Sequence, residues 1–454
     1  MSLTCFKSYD IRGRLGVDLD TEIAGRIGRA FGQVLGAKRV VLGRDCRASS
    51  EALAQAVGEA LIAEGAEVLD LGLSGTEEMY FATSHFAADG GICITASHNP
   101  MDYNGMKLVR AGSAPLDPAT GLAAIRTLAE ADTFGPSVRG GGLRDVSVEA
   151  RAAYVAKILS FVDLSALKPL RILVNAGNGA AGPTFDAIAD ALAAHGAPLE
   201  FIRMHHAPDG NFPNGILNPL LPENQPETAV AVRAAGADFG VAWDGDFDRC
   251  FFFDHEGSFI AGEYLVGLLS EVFLAKEPGA TIIHDPRVIW NTLDVVAKGG
   301  GQTVPSRTGH AFMKQAMRDH EAVYGGEMSA HHYFRDFCHC DSGMIPWLMI
   351  AELVSRKGAL RDLVAERRAA FPSSGEVNFT LDDVPAAVMR VRATFEPQAQ
   401  GIDETDGLSL DMGTWRFNLR ASNTEPVLRL NVETRGDAAL LTESVVRVRA
   451  LLEG

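Results

Sequence analysis

The sequence predicts an α/β protein: three similar α/β domains with mixed, mostly parallel sheets, then a smaller α+β C-terminal domain. Three observations carry that expectation. Short apolar runs alternate with segments of helical period, and the alternation restarts twice. In each round one such run ends in a polar loop: Thr95-Ala96-Ser97-His98-Asn99-Pro100, then Asp244 to Arg249, then Gly325-Gly326-Glu327-Met328-Ser329. After about Pro372 the period changes to two, as in half-buried strands.

Composition bounds the reading. At ordinary domain sizes 454 residues make three or four domains. With 47% hydrophobic and 22% charged residues the balance is that of a soluble globular protein. Lys plus Arg is 41 against 58 Asp plus Glu, a formal net charge of −17, which disfavours nucleic acid or an anionic membrane as a partner. An anionic small substrate is compatible only if cations gather at its site. The N-terminus lacks an apolar core of signal-peptide length. The longest apolar runs, Tyr264 to Leu274 and Met344 to Val354, are too short to span a bilayer and carry Glu271 and Glu352. Six scattered cysteines fit no disulfide framework, so reduced thiols in a cytoplasm are expected.

The elements follow in order. Ile23, Ile27, Phe31 and Val34 recur at helical spacing behind an Asp20 or Thr21 cap. Val40 to Leu42 is a strand, Ser49 or Ser50 opens a helix ending at Gly65, and Val68 to Leu71 is the next strand. A helix near Glu77 to Ala88 leads into the buried strand Gly91 to Ile94, which Asn99-Pro100 closes off. Pro136 to Gly142 is glycine-rich and reads as a linker, giving a first domain of residues 1–144. The second, 145–252, has a strand at Arg171 to Val174, a helix from about Pro183 to His195, and a strand at Phe239 to Trp243. The third, 253–368, has strands at Thr281 to Ile283 and Ala322 to Tyr324, a helix near Val288 to Ala297, and another opened by His310. The weak internal similarity still reads as a threefold structural repeat. In the fourth, 369–454, Trp415, Phe417 and Leu419 alternate with polar residues, as do Leu428, Leu430 and Val432, before a closing helix from about Ala438 to Leu452.

Four stretches carry chemistry. Ser97 sits on a loop at a strand's C-terminal end, where ligands bind in open α/β sheets. A serine hydroxyl needs activation to act as a nucleophile, and Thr95, His98, Asn99 and Lys107 can reach it. Asp244, Asp246 and Asp248 alternate along a tight loop held by Gly245. Carboxylates that close repel unless a cation sits among them, and hard oxygen donors suit Mg²⁺. Arg420, Ser422, Asn423 and Thr424 offer a guanidinium fork with hydroxyl and backbone donors, a fit for phosphate. Gly177-Asn178-Gly179-Ala180-Ala181-Gly182 matches a dinucleotide fingerprint, with Glu200 at the distance of a ribose-binding acid; the same small residues also serve plain helix–strand packing. His331, His332, Cys338, His339 and Cys340 match no usual zinc spacing.

Together these loops resemble the α-D-phosphohexomutase superfamily. Thr95 to Pro100 resembles its phosphoserine loop, Asp244 to Arg249 its metal loop, Gly326 to Ser329 its sugar-recognition loop and Arg420 to Pro426 its phosphate-binding loop. Tyr9-Asp10-Ile11-Arg12-Gly13 and Gly43-Arg44-Asp45 resemble its N-terminal segments. The resemblance runs from about Phe6 to the C-terminus and implies four domains around a central cleft. It implies reversible interconversion of mannose 6-phosphate and mannose 1-phosphate through a phosphoserine at Ser97 and a 1,6-bisphosphate. Implied catalytic groups are Ser97, His98, Lys107, Arg249 and His310. Implied substrate ligands are Tyr9, Arg12, Arg287, Glu327, Ser329, His331, Arg420, Ser422, Asn423 and Thr424. One Mg²⁺ would be held by Ser97, Asp244, Asp246 and Asp248, and glucose or mannose 1,6-bisphosphate would act as activator. A cytoplasmic monomer or weak homodimer acting on hexose phosphates, and supplying GDP-mannose synthesis, is the implied setting. A dual activity on glucose phosphates, a dinucleotide-dependent oxidoreductase and a non-catalytic sugar-phosphate binder are the alternatives. The chain departs from the family pattern at Phe247 and Ala330, where glycine is frequent, and at Arg287, where lysine is common.

Overall fold

The computed structural model describes residues 2–137, 140–421 and 427–454. Backbone packing divides the chain into two units. One is Met1–Phe259 with Asp336–Gly358, the other Ile260–Arg335 with Ala359–Gly454.

The first unit holds two sheets. In the first, strands Ile11–Arg14, Tyr103–Arg110, Gly90–Ile94, Arg39–Arg44, Glu67–Leu73 and Gly142–Asp145 lie side by side in that order, and Ala114–Pro115 pairs off Tyr103–Arg110. The four strands from Gly90–Ile94 to Gly142–Asp145 are parallel. Tyr103–Arg110 runs antiparallel to Gly90–Ile94 and to Ile11–Arg14. The glycine-rich segment read as a linker therefore ends in an edge strand of this sheet. Helices Thr21–Leu35 and Ser50–Ala63 bury Ile27, Phe31, Val57 and Leu61 in its core. Parallel strands covered on their faces are buried throughout, and Gly90–Ile94 is buried at every position.

In the second sheet Cys250–Asp254, Phe239–Trp243, Leu170–Asn175 and Leu199–Met204 lie in that order. The last three are parallel and Cys250–Asp254 is antiparallel. Helix Met344–Lys357 belongs to this unit although its sequence follows that of the third α/β round. It is apolar nearly all round, which suits a buried helix. Its Trp347 ring lies 5.4 Å from Phe185 and 5.8 Å from Phe201.

In the second unit Gln302–Pro305, Thr281–His284, Tyr324–Gly326 and His332–Phe334 form a sheet in that order, parallel up to the last pair. The strand expected at Ala322 to Tyr324 begins at Tyr324 instead. The other sheet is antiparallel throughout: Ser373–Phe379, Leu428–Thr434, Trp415–Ala421, Leu408–Asp411, Gly401–Asp403. Helices Val384–Phe395 and Ala438–Glu453 cover its apolar face. Trp415–Ala421 is buried on both faces rather than one. Two of its polar side chains find donors or acceptors inside: Arg416 meets Glu433 at 2.9 Å, and Asn418 donates to the Asp406 carbonyl and the Ser409 hydroxyl. Burial of paired polar groups leaves the sequence alternation unchanged while removing the solvent it usually signals.

Candidate active site

Ser97 follows the buried strand Gly90–Ile94, in a loop that external groups hold in shape. Its backbone is left-handed, φ 49°, which a side chain adopts only under constraint. The Ser97 N–H donates to Thr95 Oγ1 at 2.9 Å. Arg47 supplies the rest. Its two terminal nitrogens donate to the carbonyls of Ser97 (2.9 Å), Asn99 (2.6 Å), Pro100 (2.9 Å) and Tyr103 (3.1 Å). Asp45 Oδ2 lies 3.5 Å from its Nε, and the Phe212 ring centroid 5.5 Å from the guanidinium. So fixed, the Ser97 hydroxyl donates to Asp244 Oδ2 at 2.8 Å and lies 3.0 Å from His98 Nδ1.

The acidic loop after Phe239–Trp243 meets Ser97 directly. A side chain at Gly245 would lie 2.6 Å from the Ser97 carbonyl, so only glycine permits the approach. Asp244, Asp246 and Asp248 are wholly buried, and each offers an oxygen within 4.8 Å of the others. Lys107 Nζ lies 2.9 Å from Asp246 and also pairs with Asp248, while Arg249 Nε lies 3.1 Å from Asp244. Burial is the strongest influence on the Asp244 carboxyl and would raise it, but the Arg249 guanidinium and His98 together hold the group below its usual value. Burial opposes the Lys107 charge, and Asp246 and Asp248 more than restore it, so its ammonium keeps its proton. Desolvation of the inward edge of the His98 ring, then Arg249, lower its pKa; 35% of that side chain still faces solvent. Arg249 Nη2 donates to His98 Nδ1 at 2.5 Å, which leaves the ring's proton on Nε2. Arg12 donates to the Thr95 carbonyl and lies 3.6 Å from Asp10, and Tyr9 is its close neighbour in sequence.

The donor set fits a hard divalent cation. Three carboxylates face two cationic side chains, and Asp246 Oδ1 is buried with no hydrogen-bond partner among the described residues. A buried, unpaired carboxylate oxygen is costly, and a metal ion supplies what it lacks.

Phe247 and Ala330 both have left-handed backbones, φ 47° and 69°. That explains why glycine is frequent at both positions, and neither substitution removes a ligand-type group. The Gly177–Gly182 turn is engaged by protein. The Ala180 N–H donates to the Gly245 carbonyl at 3.1 Å, and side chains at Gly179 and Gly182 would strike the carbonyls of Gly245 and His206. Its glycines thus admit the acidic loop and a neighbouring strand end.

In the second unit Arg287 is clamped on Asp285 by Nε (3.1 Å) and Nη2 (2.9 Å), and Nη2 also donates to Ser329 Oγ at 3.3 Å. Burial works against its charge; Asp285 then Glu327 keep the guanidinium protonated. Glu327 accepts from Tyr333 O–H (2.6 Å) and Gly309 N–H (3.1 Å) and lies 3.4 Å from His331. Arg287, Glu327, Ser329 and His331 are thus one cluster. His310, which opens helix His310–Asp319, has Lys314 Nζ 3.4 Å from its Nδ1. Arg420 is buried at the end of Trp415–Ala421, 3.6 Å from Asp406 and directly opposite Arg429 on the neighbouring strand. Ser422, Asn423 and Thr424 lie outside the described residues. His332 is a core residue: its Nδ1 bonds Tyr324 O–H at 2.7 Å, and burial drives its pKa down to about 3.

Sequence reasoning missed Arg47 and Thr76. The latter donates its hydroxyl to Asp246 Oδ2 at 2.6 Å. Neither lies in a motif, and each meets its partner only through the fold.

Four family models match in order. They are phosphoglucomutase/phosphomannomutase α/β/α domain I at residues 4–135, domain II at 152–257, domain III at 261–371 and the C-terminal domain at 376–451. The chain is 58% identical over 454 residues to a phosphomannomutase of Salmonella montevideo, covering 99% of each. It is 57% identical to a protein of Xanthomonas campestris pv. campestris named phosphohexose mutases, covering 100% of each. Its fold is similar to a solved phosphoglucomutase/phosphomannomutase family protein of Burkholderia thailandensis, TM-score 0.88 at 32% identity, covering 100% of this chain and 99% of that one.

Proposed function

The chain belongs to the phosphoglucomutase/phosphomannomutase family, and from that premise we propose that Ser97 is its phosphate carrier. The activity is that of a phosphomannomutase, the interconversion of mannose 6-phosphate and mannose 1-phosphate. The carrying observation is the 2.8 Å bond from the Ser97 hydroxyl to Asp244 beside two further buried carboxylates.

The resting enzyme would hold a phosphoryl group on Ser97 Oγ. A hydroxyl of the bound sugar phosphate attacks it, the new O–P bond forms on the sugar as the Ser97 O–P bond breaks, and the hydroxyl proton passes to a base. The product is a 1,6-bisphosphate, and after it turns over, Ser97 takes back the other phosphoryl group. Such transfers rest on positioning and charge neutralisation. Asp244, Asp246 and Asp248, with an oxygen of the phosphorylated Ser97, would hold one Mg²⁺, which would supply that neutralisation. Arg249, Lys107 and Arg12 would add positive charge. Asp244, which accepts the Ser97 hydroxyl proton, would orient that hydroxyl, with His98 beside it and held in place by Arg249. His310 is the proposed proton acceptor for the attacking hydroxyl; Lys107, the other candidate from the sequence, keeps its proton between Asp246 and Asp248 and would serve as a cation instead. Tyr9 is proposed to line the phosphoserine end. Arg287, Glu327, Ser329 and His331 would bind the sugar and Arg420 with Ser422, Asn423 and Thr424 the distal phosphate. A hexose 1,6-bisphosphate would serve as activator by loading Ser97.

The six cysteines are free, and no described helix is long and apolar enough to cross a membrane; a cytoplasmic monomer or weak dimer is the proposed setting. Action on glucose phosphates as well is a second reading, favoured by the Xanthomonas campestris relative whose name covers hexoses in general. Coupled assays with mannose 1-phosphate and glucose 1-phosphate decide between them. Ser97→Ala should lose most turnover with both while melting like the wild type; near wild-type turnover would remove the serine assignment.

A further inference from the structure

The start of helix Thr76–His85 is built against the acidic loop residue by residue. A side chain at Gly75 would lie 2.2 Å from the Phe247 ring, so the missing Cβ is the space that ring fills. Thr76 donates twice to Asp246, from its N–H to the carbonyl (3.2 Å) and from its hydroxyl to Oδ2 (2.6 Å). Glu77 accepts the Gly343 N–H at 2.6 Å. Gly343 in turn backs the same loop, since a side chain there would lie 2.3 Å from the Phe247 carbonyl and 2.9 Å from that of Arg249. Glu78 ties the helix start down by accepting from Gly75 N–H and Thr184 Oγ1.

These contacts decide which way the middle carboxylate faces. Thr76 and Lys107 both engage Asp246 Oδ2, and Oδ1 of the same wholly buried group has no hydrogen-bond partner among the described residues. The rest of the loop is also over-determined. Phe247 is left-handed, an unfavourable state for an aromatic residue, and packing of its ring against Gly75, its N–H bond to the Asp244 carbonyl (3.1 Å) and Gly343 behind its carbonyl hold it there. Carboxylates that ligate metals are oriented by partners behind them, and loss of such a partner typically costs roughly 10–100-fold in metal affinity.

We infer that Thr76 is a positioning residue for the metal site: with Gly75 and Phe247 it sets the rotamer of Asp246 so that Oδ1 is presented to a divalent cation. The inference rests on the proposed metal site and adds the element that preorganises it. Thr76 touches neither substrate nor reacting atoms and acts through Asp246.

Isothermal titration of the full-length, dephosphorylated chain with Mn²⁺ tests this without reading activity. Thr76→Ser keeps the hydroxyl and should bind Mn²⁺ as the wild type does. Thr76→Val keeps the shape and should bind roughly 10–100-fold more weakly. Equal affinity for Thr76→Val and wild type overturns the inference, as does equal weakening by Thr76→Ser. Wild-type chain that binds no Mn²⁺ overturns the metal site itself, and the inference with it. Gly75→Ala should also weaken Mn²⁺ binding, and Phe247→Gly in that background should restore it; failure to restore overturns the role of the ring. If Gly75→Ala does not fold, the two Thr76 variants still decide.

Discussion

Arg47 fixes the reactive serine more than any group in the Ser97 motif itself. A planar fork reaches four carbonyls of one loop, and a lysine ammonium has neither the geometry nor the donors to replace it. Arg47→Lys should keep the fold and lose roughly a hundredfold in kcat, the scale expected for a misplaced reacting atom, with KM for mannose 1-phosphate little changed. Steady-state kinetics checks this, and a change confined to KM would contradict it. At this scale the sequence was legible where chemistry is consecutive. Ser97 with its neighbours, and the three aspartates with their glycine, announce themselves by spacing. Arg47 and Thr76 were not legible, because Arg47 reaches Ser97 50 positions on and Thr76 reaches Asp246 170 positions on. Phe247 and Ala330, read as departures, are substitutions at left-handed positions that the surroundings hold in place.

Strand Trp415–Ala421 shows what element-level patterning tells and omits. Its period of two and its apolar face were read correctly, and helices Val384–Phe395 and Ala438–Glu453 cover that face. The burial of its polar face was not legible, because Arg416, Asn418 and Arg420 spell the same alternation whether they meet water or Glu433, Ser409 and Asp406. Arg420 stands opposite Arg429, a like-charge pair across the ladder that Asp406 at 3.6 Å from Arg420 and Glu376 at 3.4 Å from Arg429 offset in part. Burial and then Arg287 lower the Arg420 pKa, as expected of a cation held among others. Arg420→Ala should therefore raise KM for mannose 1-phosphate roughly ten- to hundredfold, the worth of a charge-assisted contact, without lowering the melting temperature. Unchanged KM would remove the phosphate role. Helix Met344–Lys357 makes the complementary point: its apolar run was read only as too short to span a bilayer, and the structure buries it with Trp347 against Phe185 and Phe201.

At the scale of the molecule, the three α/β rounds and the α+β tail were legible because periodicity survives when sequence identity between repeats does not. The buried acids behind the site were not, and they give stability a pH dependence. Burial pushes Glu77 from 4.5 up to about 8, against the donors Ser342, Tyr154 and the Met344 and Gly343 amides that pull it down. Between those values the folded chain keeps a proton the unfolded chain releases. The contribution is fully present below about pH 4.5 and is lost as pH rises through about 8. Wild type should lose stability across that window faster than Glu77→Gln in denaturant melts, and equal slopes would contradict the shift. The central claim is that Ser97 carries the phosphoryl group between the two ends of the sugar. It is tested most directly by incubating wild type and Ser97→Ala with mannose 1,6-bisphosphate and mapping acid-stable phosphate on their peptides by mass spectrometry. A single phosphate on the peptide containing Ser97, absent from Ser97→Ala and discharged by mannose 1-phosphate, is the predicted result; no phosphate there, or phosphate on another residue that mannose 1-phosphate discharges equally well in both chains, would contradict it.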